Sequence, residues 1–481
     1  MYESIAESFM QNLNQSTETS GQEPGSRFRW EWVFLPAALC VLLIVILLPR
    51  SKKSRPDDPA ANSRPANNGG NWTATMDLRP NRSLRDRGKP GPGATAEEIV
   101  ASKVSQFARN RREVLHKWAE QLKIEVPSEY EQFFDVADAG NWDELHKAFE
   151  SLIARRDSWT SDMSALWPLI LETHGVAEVA HDWPAQQLLD YGQTMISSLR
   201  PDMVYVGGTD PGRFIPTLFN ETSEGERHVV LTQNALADSA YLNYIRFLYS
   251  DQLNTATAND SQSAFQSYMA DAARRLAHDE QFPNEPKQVR PGENISNNEG
   301  RFQASGDISV MAVNERILQA IMDKNPNASF ALEESFALKS TYPNATLLGP
   351  IMELRPGDGQ NSLTPERAAE SAAYWSGVAQ RLPSDSSDPG AANVLKTYSK
   401  MAAAQATLLL DHNYPAQAEA NFQVANQLCP SSPEAVFGYV QLLVGQNRVN
   451  DAIAVAGNAV NAAPNNNQFR DLLQRLRQPN P

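Results

Sequence analysis

Cysteine is nearly absent from this chain of 481 residues, which has only Cys40 and Cys429. The two lie far apart in the sequence, so no disulfide framework is expected, and neither an oxidising nor a reducing compartment is excluded. Histidine is also scarce, at seven residues, and no Cys/His cluster has the spacing of a zinc module. No Ser/His/Asp or Cys/His arrangement suggests nucleophilic catalysis, and no cofactor is expected.

Positive charge is scarce as well, because 42 Lys and Arg stand against 57 Asp and Glu, for a formal net charge of −15. Residues 50–93 hold ten Lys and Arg against four acidic residues, whereas the chain from Ala94 onward holds 30 against 48, a net charge of −18. An acidic body argues against nucleic-acid binding, which needs a basic face. Hydrophobic residues make up 41% of the chain, which is enough for the cores of two to four domains.

One long apolar run is present, from Trp30 to Leu48. Its roughly 18 apolar residues just reach across a bilayer. Basic residues follow the run and no cleavage site ends it, so the pattern predicts an uncleaved transmembrane helix over 30–49 and not a signal peptide. The alternative is a buried core helix. Residues 1–29 are predicted to be disordered and residues 50–94 to form a flexible basic linker.

The basic flank bears on orientation. By the positive-inside rule it would place the soluble part in the cytoplasm.

The soluble part of the chain begins with a capping box, in which Thr95 and Glu98 satisfy free amides at a helix start. Residues 95–200 are predicted to form a helical module, with its last helix interrupted at Gly175 and Pro184.

Three residues of that module share one face of a helix. His174, Glu178 and His181 stand at the i, i+4 and i+7 positions and could chelate a metal ion. No fourth ligand is apparent, and an exposed polar face explains the same residues. We therefore expect no metal.

Residues 201–360 alternate strands with helices, which predicts an α/β domain with a mostly parallel sheet. A loop is expected over Gln281–Gly300. The predicted strands and helices of the first unit are Met203–Val206, Arg213–Phe219, His228–Thr232 and Tyr241–Tyr249, and Ser329–Leu338 and Leu347–Leu354 are expected to extend the sheet.

A glycine-rich turn follows the first predicted strand and supplies the candidate ligand-binding residues. The carboxyl ends of strands and the start of a helix are where open α/β sheets bind ligands, anions in particular. The turn matches neither G-x-G-x-x-G nor G-x-x-x-x-G-K-[ST], so it is not a nucleotide fingerprint. The alternative is a tight turn, capped by its aspartate and held by an internal ion pair of its arginine. The candidates are Gly207, Gly208, Thr209, Asp210, Gly212 and Arg213.

Two adjacent carboxylates, Glu333 and Glu334, lie in a later predicted strand. Because neighbouring strand residues point to opposite faces, one of them is expected to face solvent.

The C-terminal part, residues 361–481, contains an internal repeat with a period of 34 residues. This period, with an A-x3-F-x2-A-x4-P spacing, is the second-helix signature of the tetratricopeptide repeat. Two repeats cannot bury a core alone, so the array should dock against helix 365–382 or the α/β part. The repeat-packing positions are Ala418, Phe422, Ala425 and Pro430, which recur as Ala452, Ala456, Ala459 and Pro464.

Several separated motifs also resemble a known family. VYVGGTDPGRF, LTQNALAD, EESFAL followed by GPIMEL, and FQVANQLCPSSPEAVFGYVQLL occur in the order found in the soluble C-terminal half of bacterial multi-pass proteins related to protein O-mannosyltransferases. The resemblance covers roughly residues 200–481 and implies an α/β part followed by tetratricopeptide-like helices, on the outer side of the membrane. The multi-pass catalytic region of that family is absent here, so no catalytic residue is carried over.

Two functions are therefore predicted. The first is a single-pass, membrane-anchored scaffold without enzymatic activity, which binds another protein through its repeat helices. The alternative is an accessory component of a membrane glycosyltransferase system that binds a carbohydrate or a nucleotide sugar. The two predictions share the inner membrane as location, and the side of the soluble part is open.

Overall fold

The computed structural model of the protein describes residues 91, 93–208, 210–290, 292–298, 301–334, 345–354, 363–382 and 389–478. This part of the chain holds fifteen α-helices, a five-stranded sheet and a two-stranded sheet. None of its helices is both long and apolar enough to cross a membrane. The predicted disordered N-terminus and the predicted transmembrane helix lie outside the described residues, as does the predicted linker apart from its last few residues.

Five helices open the described chain. The first starts at the predicted capping box, where the Glu98 amide donates to the Thr95 hydroxyl and the Thr95 amide to the Glu98 carboxylate, at 3.3 and 2.9 Å. Trp118 of this helix is buried and its ring centroid lies 4.6 Å from that of Phe247, so the helical part and the sheet part share one core. The five helices are α1 (Ala96–Leu122), α2 (Ser128–Ala139), α3 (Trp142–Ala154), α4 (Ser161–Asp182) and α5 (Ala185–Ser197).

The expected interruption at Gly175 is wrong, because α4 continues through that residue and ends only before Trp183 and Pro184. The ring of Phe214 lies where a β-carbon on Gly175 would be. The glycine therefore provides room for a neighbouring aromatic ring and does not break the helix.

The central part alternates strands and helices as predicted, with one addition. The stretch Gln281–Gly300, expected to be only a loop, contains a strand that forms a hairpin with the next one. In chain order the elements are β1 (Val204–Gly207), α6 (Asp210–Thr222), β2 (Val229–Thr232), α7 (Ser239–Leu248), α8 (Ala258–Gln281), β3 (Asn294–Asn298), β4 (Arg301–Ser305), α9 (Asp307–Lys324), β5 (Phe330–Leu332), β6 (Ala345–Leu348) and β7 (Ile351–Leu354).

The main sheet has the order β2-β1-β5-β7-β6. Strand β1 pairs in parallel with both β2 and β5, but β7 pairs antiparallel with β5 and with β6. The expectation of a mostly parallel sheet is therefore correct only for the three strands around β1. The predicted single strand Leu347–Leu354 is a hairpin, because Gly349 adopts a φ of +56° and reverses the chain there.

Six helices complete the described part of the chain: α10 (Pro365–Arg381), α11 (Pro389–Asp411), α12 (Pro415–Leu428), α13 (Pro433–Gly445), α14 (Val449–Ala462) and α15 (Asn467–Arg477). The predicted repeat positions on α12 and α14 are buried, with Phe422 at 1% exposure and the five alanines at 0%. These alanines let the paired helices approach closely. On the last helix, Phe469 and Leu472 are buried while the opposite face is exposed and polar, as suits the end of a repeat array.

The side chain of Gln405 on α11 joins the repeat helices to the rest of the molecule. Its Oε1 accepts hydrogen bonds from Ser371 and Trp375 of α10, at 2.8 and 2.9 Å. Its Nε2 donates to the carbonyl oxygen of Gly349 at 2.9 Å, in the turn between β6 and β7. The array thus docks against both α10 and the sheet, the two surfaces that the sequence indicated.

A buried group of charges fastens α1 to α4 and α6. Arg111, at 1% side-chain exposure, lies 2.5 Å from the Glu172 carboxylate and 3.4 Å from that of Glu221, which Arg227 contacts at 2.8 Å. We call these four residues the balanced cluster, since two cations face two carboxylates. Burial opposes ionisation of Glu221, but Arg227 and Arg111 prevail and lower its pKa to about 2.

Candidate functional site

The glycine-rich turn lies at the carboxyl end of β1, in the middle of the parallel strands. The chain leaves β1 through α6 to reach β2 on one side, and β5 lies on the other side. This reversal of strand order is a topological switch point, where open α/β sheets have a crevice for ligands. The turn after β1 and the residues after β5 meet there.

The arginine of the turn is already paired. Arg213 is 6% exposed, and its Nη2 lies 2.8 Å from Oδ1 of Asp210, the first residue of α6. The guanidinium also stacks on the Phe214 ring, 4.2 Å from its centroid. This is the internal ion pair that sequence analysis gave as the alternative to an anion clamp, and it counts against a clamp. Thr209 lies outside the described residues.

Glu333 fills the place where an anion would bind at the start of α6. Its Oε2 accepts a hydrogen bond from the Gly208 amide at 3.2 Å, and its Oε1 accepts one from the Tyr191 hydroxyl at 3.2 Å. A β-carbon on Gly212 would overlap this carboxylate. Gly212 is therefore needed for close approach, and a phosphate would have to displace a buried carboxylate.

Other polar side chains converge on Gly208. The Gln233 amide carbon and the Glu334 Oε1 lie 3.0 and 2.9 Å from the place where a β-carbon on Gly208 would be. The Asn234 amide donates to the Gly208 carbonyl at 2.9 Å. Any side chain at position 208 would collide with this group.

The expectation that one of the two adjacent glutamates faces solvent is wrong. Strand β5 ends at Leu332, so the alternation of faces no longer applies to the next two residues. Glu333 is 1% exposed and Glu334 is half-buried, and both carboxylates approach Gly208. Two acidic residues directly after a buried strand, at the same edge as the glycine turn, were the signal that could have indicated this.

The repeat array supplies the facing wall. Lys400 of α11 lies 3.3 Å from the Glu434 carboxylate at the start of α13, and the Ser432 hydroxyl donates to the same carboxylate at 3.1 Å. Glu434 retains 41% of its side-chain exposure and Lys400 retains 25%. The crevice residues on the side of the repeats are thus partly exposed to solvent.

On the other side, α4 contributes Glu178. Burial, and then the negative charge of Asp210, raise the pKa of Glu178 to about 8. Burial likewise raises the pKa of Glu334 to about 8, with Glu333 adding to the shift while Lys400 opposes it. Near neutral pH, both groups bind protons that free carboxyls would have released.

The three residues considered as metal ligands on α4 lie in different environments. His174 is 1% exposed, stacks on Phe149 at 3.7 Å, and lies 3.2 Å from His146, so the exposed face expected there is wrong. His181 is exposed and stacks on Trp142 at 4.8 Å. Within the described residues, no group of three or more His, Cys, Asp or Glu side chains could hold a metal ion.

Seven ionisable residues surround the crevice, and we call them the sheet-edge cluster: Glu178, Asp210, Arg213, Glu333, Glu334, Lys400 and Glu434. It has five carboxylates and two cations, and both cations lie against carboxylates of the cluster. Even with Glu178 and Glu334 protonated, three carboxylates face two cations, and this excess of negative charge disfavours phosphate.

Comparison with known proteins identifies one part of the chain. The family model for the tetratricopeptide repeat matches residues 409–476. That span runs from the end of α11 into α15 and includes all eight predicted repeat-packing positions. No curated protein and no solved structure matches the chain.

Proposed function

We propose that this protein is a scaffold that binds another protein through its tetratricopeptide repeats. The observation that carries the proposal is the match over residues 409–476 to a repeat that generally mediates protein binding. The packing of α12 and α14 through buried alanines supports it.

The binding surface is narrower than in an open repeat array. Side chains from Thr397 to Leu410 on α11, and from Ser432 to Val444 around α13, are buried or half-buried, and none is fully exposed. The neighbouring repeat helices cover much of α11 and α13, and Gln405 of α11 also contacts α10 and the β6–β7 turn. The exposed faces of α14 and α15 remain, with Asn458, Arg470 and Gln474 among their exposed residues. We place the partner on these faces.

The proposal includes a single-pass anchor in the inner membrane. It is supported by the apolar sequence Trp30–Leu48, which the charges at Arg50, Lys52 and Lys53 follow. An anchor would confine partner binding to the membrane surface.

Photo-crosslinking of the full-length chain in cells tests the scaffold function. A crosslinking amino acid is placed at Asn458 or at Gln474, and as a control at the exposed Glu280 of α8. We expect the two repeat positions to capture the same discrete partner and position 280 not to capture it. Equal capture at all three positions, or no capture at the repeat positions, would contradict the proposal.

The alternative, an accessory component of a membrane glycosyltransferase system, rests on the resemblance of residues 200–481 to the mannosyltransferase-related proteins. The sheet-edge cluster bears on its ligand. A nucleotide sugar would bring a pyrophosphate to carboxylates at Glu333 and Glu334, whereas an uncharged sugar would meet hydrogen-bond acceptors there. Within this alternative we therefore propose an uncharged carbohydrate. Sugar-array binding by wild type but not by Asp210→Ala would support it.

A further inference from the structure

The switch-point crevice contains a buried hydrogen-bond acceptor that nothing in the described chain satisfies. Gln233 is 2% exposed, and its Oε1 has no donor among the described residues. A buried amide oxygen without a donor is unfavourable, because it has lost its hydrogen bonds to water. The amide carbon of Gln233 lies 3.0 Å from the place of a β-carbon on Gly208, so the side chain that carries this unpaired oxygen lines the crevice.

The surrounding groups are acceptors too. Lys400 acts on Glu334, and Arg213 on Glu178, through charge at a distance. The two available cations are engaged, Arg213 by Asp210 and Lys400 by Glu434. Within the described residues, both cations of the crevice are therefore already paired with a carboxylate.

An organic cation suits this crevice better than a metal ion does. A metal ion needs several ligands at one point, and no three His, Cys, Asp or Glu side chains of the described chain provide that arrangement. An ammonium or a guanidinium distributes three to five N–H donors over a larger volume. It would supply a donor for Gln233 and a counter-charge for Glu334 together.

We propose that the crevice between Gly208, Gln233 and Glu334 binds an ammonium or guanidinium group. The group is carried either by a free small molecule or by a Lys or Arg side chain of a bound protein. Lys400 and Glu434, on the repeat side, are the partly exposed residues of this crevice. This site goes beyond the proposed scaffold function, since it does not use the exposed faces of α14 and α15.

Binding has a defined proton linkage. At pH 7 the Glu334 carboxyl, whose pKa burial raises to about 8, holds a proton. A bound cation stabilises the carboxylate and lowers that pKa, so a proton leaves when the cation enters. Affinity for the cation should therefore increase as pH rises from 6 to 8.

The test is titration calorimetry of the full-length chain with two matched probes, butylguanidinium and its uncharged isostere butylurea. Measurements in two buffers of different ionisation enthalpy reveal released protons. We expect butylguanidinium to bind with proton release at pH 7, and butylurea to bind at least about tenfold more weakly because it brings no charge. Equal binding of the two probes, or no binding of butylguanidinium, would overturn the proposal.

Variants locate the site. Glu334→Gln should weaken butylguanidinium binding at least about tenfold, whereas Glu280→Gln on the exposed face of α8 should leave it unchanged. Lys400→Met removes the resident competitor and should strengthen binding, an effect of opposite sign that loss of folding cannot produce. Unchanged affinity in Glu334→Gln, with circular dichroism showing a folded chain, would contradict the assignment.

A last comparison distinguishes the two sources of the cation. The peptide acetyl-Gly-Arg-Gly-amide is titrated beside butylguanidinium, with its citrulline counterpart as control. Tighter binding of the arginine peptide supports a protein side chain as the natural ligand, and tighter binding of butylguanidinium supports a free small molecule. If the citrulline peptide binds as well as the arginine peptide, charge is not recognised and the proposal is wrong.

Discussion

The protein buries charge at two places, in opposite ways. In the balanced cluster, Arg111 and Arg227 match Glu172 and Glu221, and the pKa of Glu221 falls to about 2. In the sheet-edge cluster five carboxylates face two cations, and the pKa of Glu334 rises to about 8. Burial raises the pKa of both glutamates, so the supply of nearby cations decides the sign of each shift. The paired charges of the balanced cluster stabilise the fold, whereas the excess carboxyl groups of the sheet-edge cluster are available to a bound cation.

The largest effect is expected from breaking the balanced cluster. Arg111→Met should lower the free energy of unfolding by roughly 3–5 kcal/mol, because it leaves Glu172 and Glu221 with less compensation in a buried place. Urea denaturation measures the change. The matched control is Arg274→Met, whose side chain is 78% exposed and should cost less than about 1 kcal/mol. Equal losses in the two variants would contradict the structural role of the cluster.

A smaller loss of stability is expected from a substitution where the glycine-rich turn contacts Glu333. Gly212→Ala should lower the free energy of unfolding by about 1–3 kcal/mol, because the added methyl overlaps the Glu333 carboxylate and forces it to move. In Gly225→Ala the methyl would have nothing within 4 Å, so stability should change little. Thermal or urea unfolding of both variants makes the comparison. A neutral Gly212→Ala would show that the carboxylate can shift freely.

The smallest predicted change in the free energy of unfolding is an increase. Between its ordinary pKa of 4.5 and about 8, Glu334 is protonated in the folded chain but ionised in the unfolded one. Wild type therefore loses stability as pH rises through this window. Glu334→Gln cannot ionise, and it should be more stable than wild type by about 1 kcal/mol at pH 8.5 but not at pH 5.

Unfolding of wild type and variant at both pH values measures this difference, with Glu280→Gln as the control. In the balanced cluster the same substitution, Glu221→Gln, should destabilise at both pH values, because it removes a carboxylate that Arg227 and Arg111 favour. Destabilisation by Glu334→Gln at pH 8.5 would remove the distinction between the two clusters.

Sequence analysis succeeded where the determining contacts are local or periodic. Thr95 and Glu98 are three residues apart, and their capping box is present. The alanines of the repeat recur every 34 residues, and both sets are buried between paired helices. In such places, neighbouring residues carry the physical cause of the structure.

It failed where the cause lies far away in the chain. Glu333 contacts Gly208 across 125 residues of sequence. The sequence of the glycine turn therefore does not indicate that a carboxylate fills the anion position. Gly175 lies inside α4 and leaves room for the ring of Phe214, and no local pattern predicts that contact. The hairpin at Gly349 was missed because two short strands read as a single apolar run.

The hydrogen bonds of Gln405 have a consequence for synthesis on the ribosome. Gly349, in the β6–β7 turn, emerges first, and the partner of its carbonyl follows 56 residues later on α11. The hydrogen bonds that Gln405 makes with the β6–β7 turn and with Ser371 and Trp375 of α10 therefore cannot form until most of α11 has been translated. A stalled or truncated chain that ends before Gln405 would present these unfinished surfaces to chaperones and proteases.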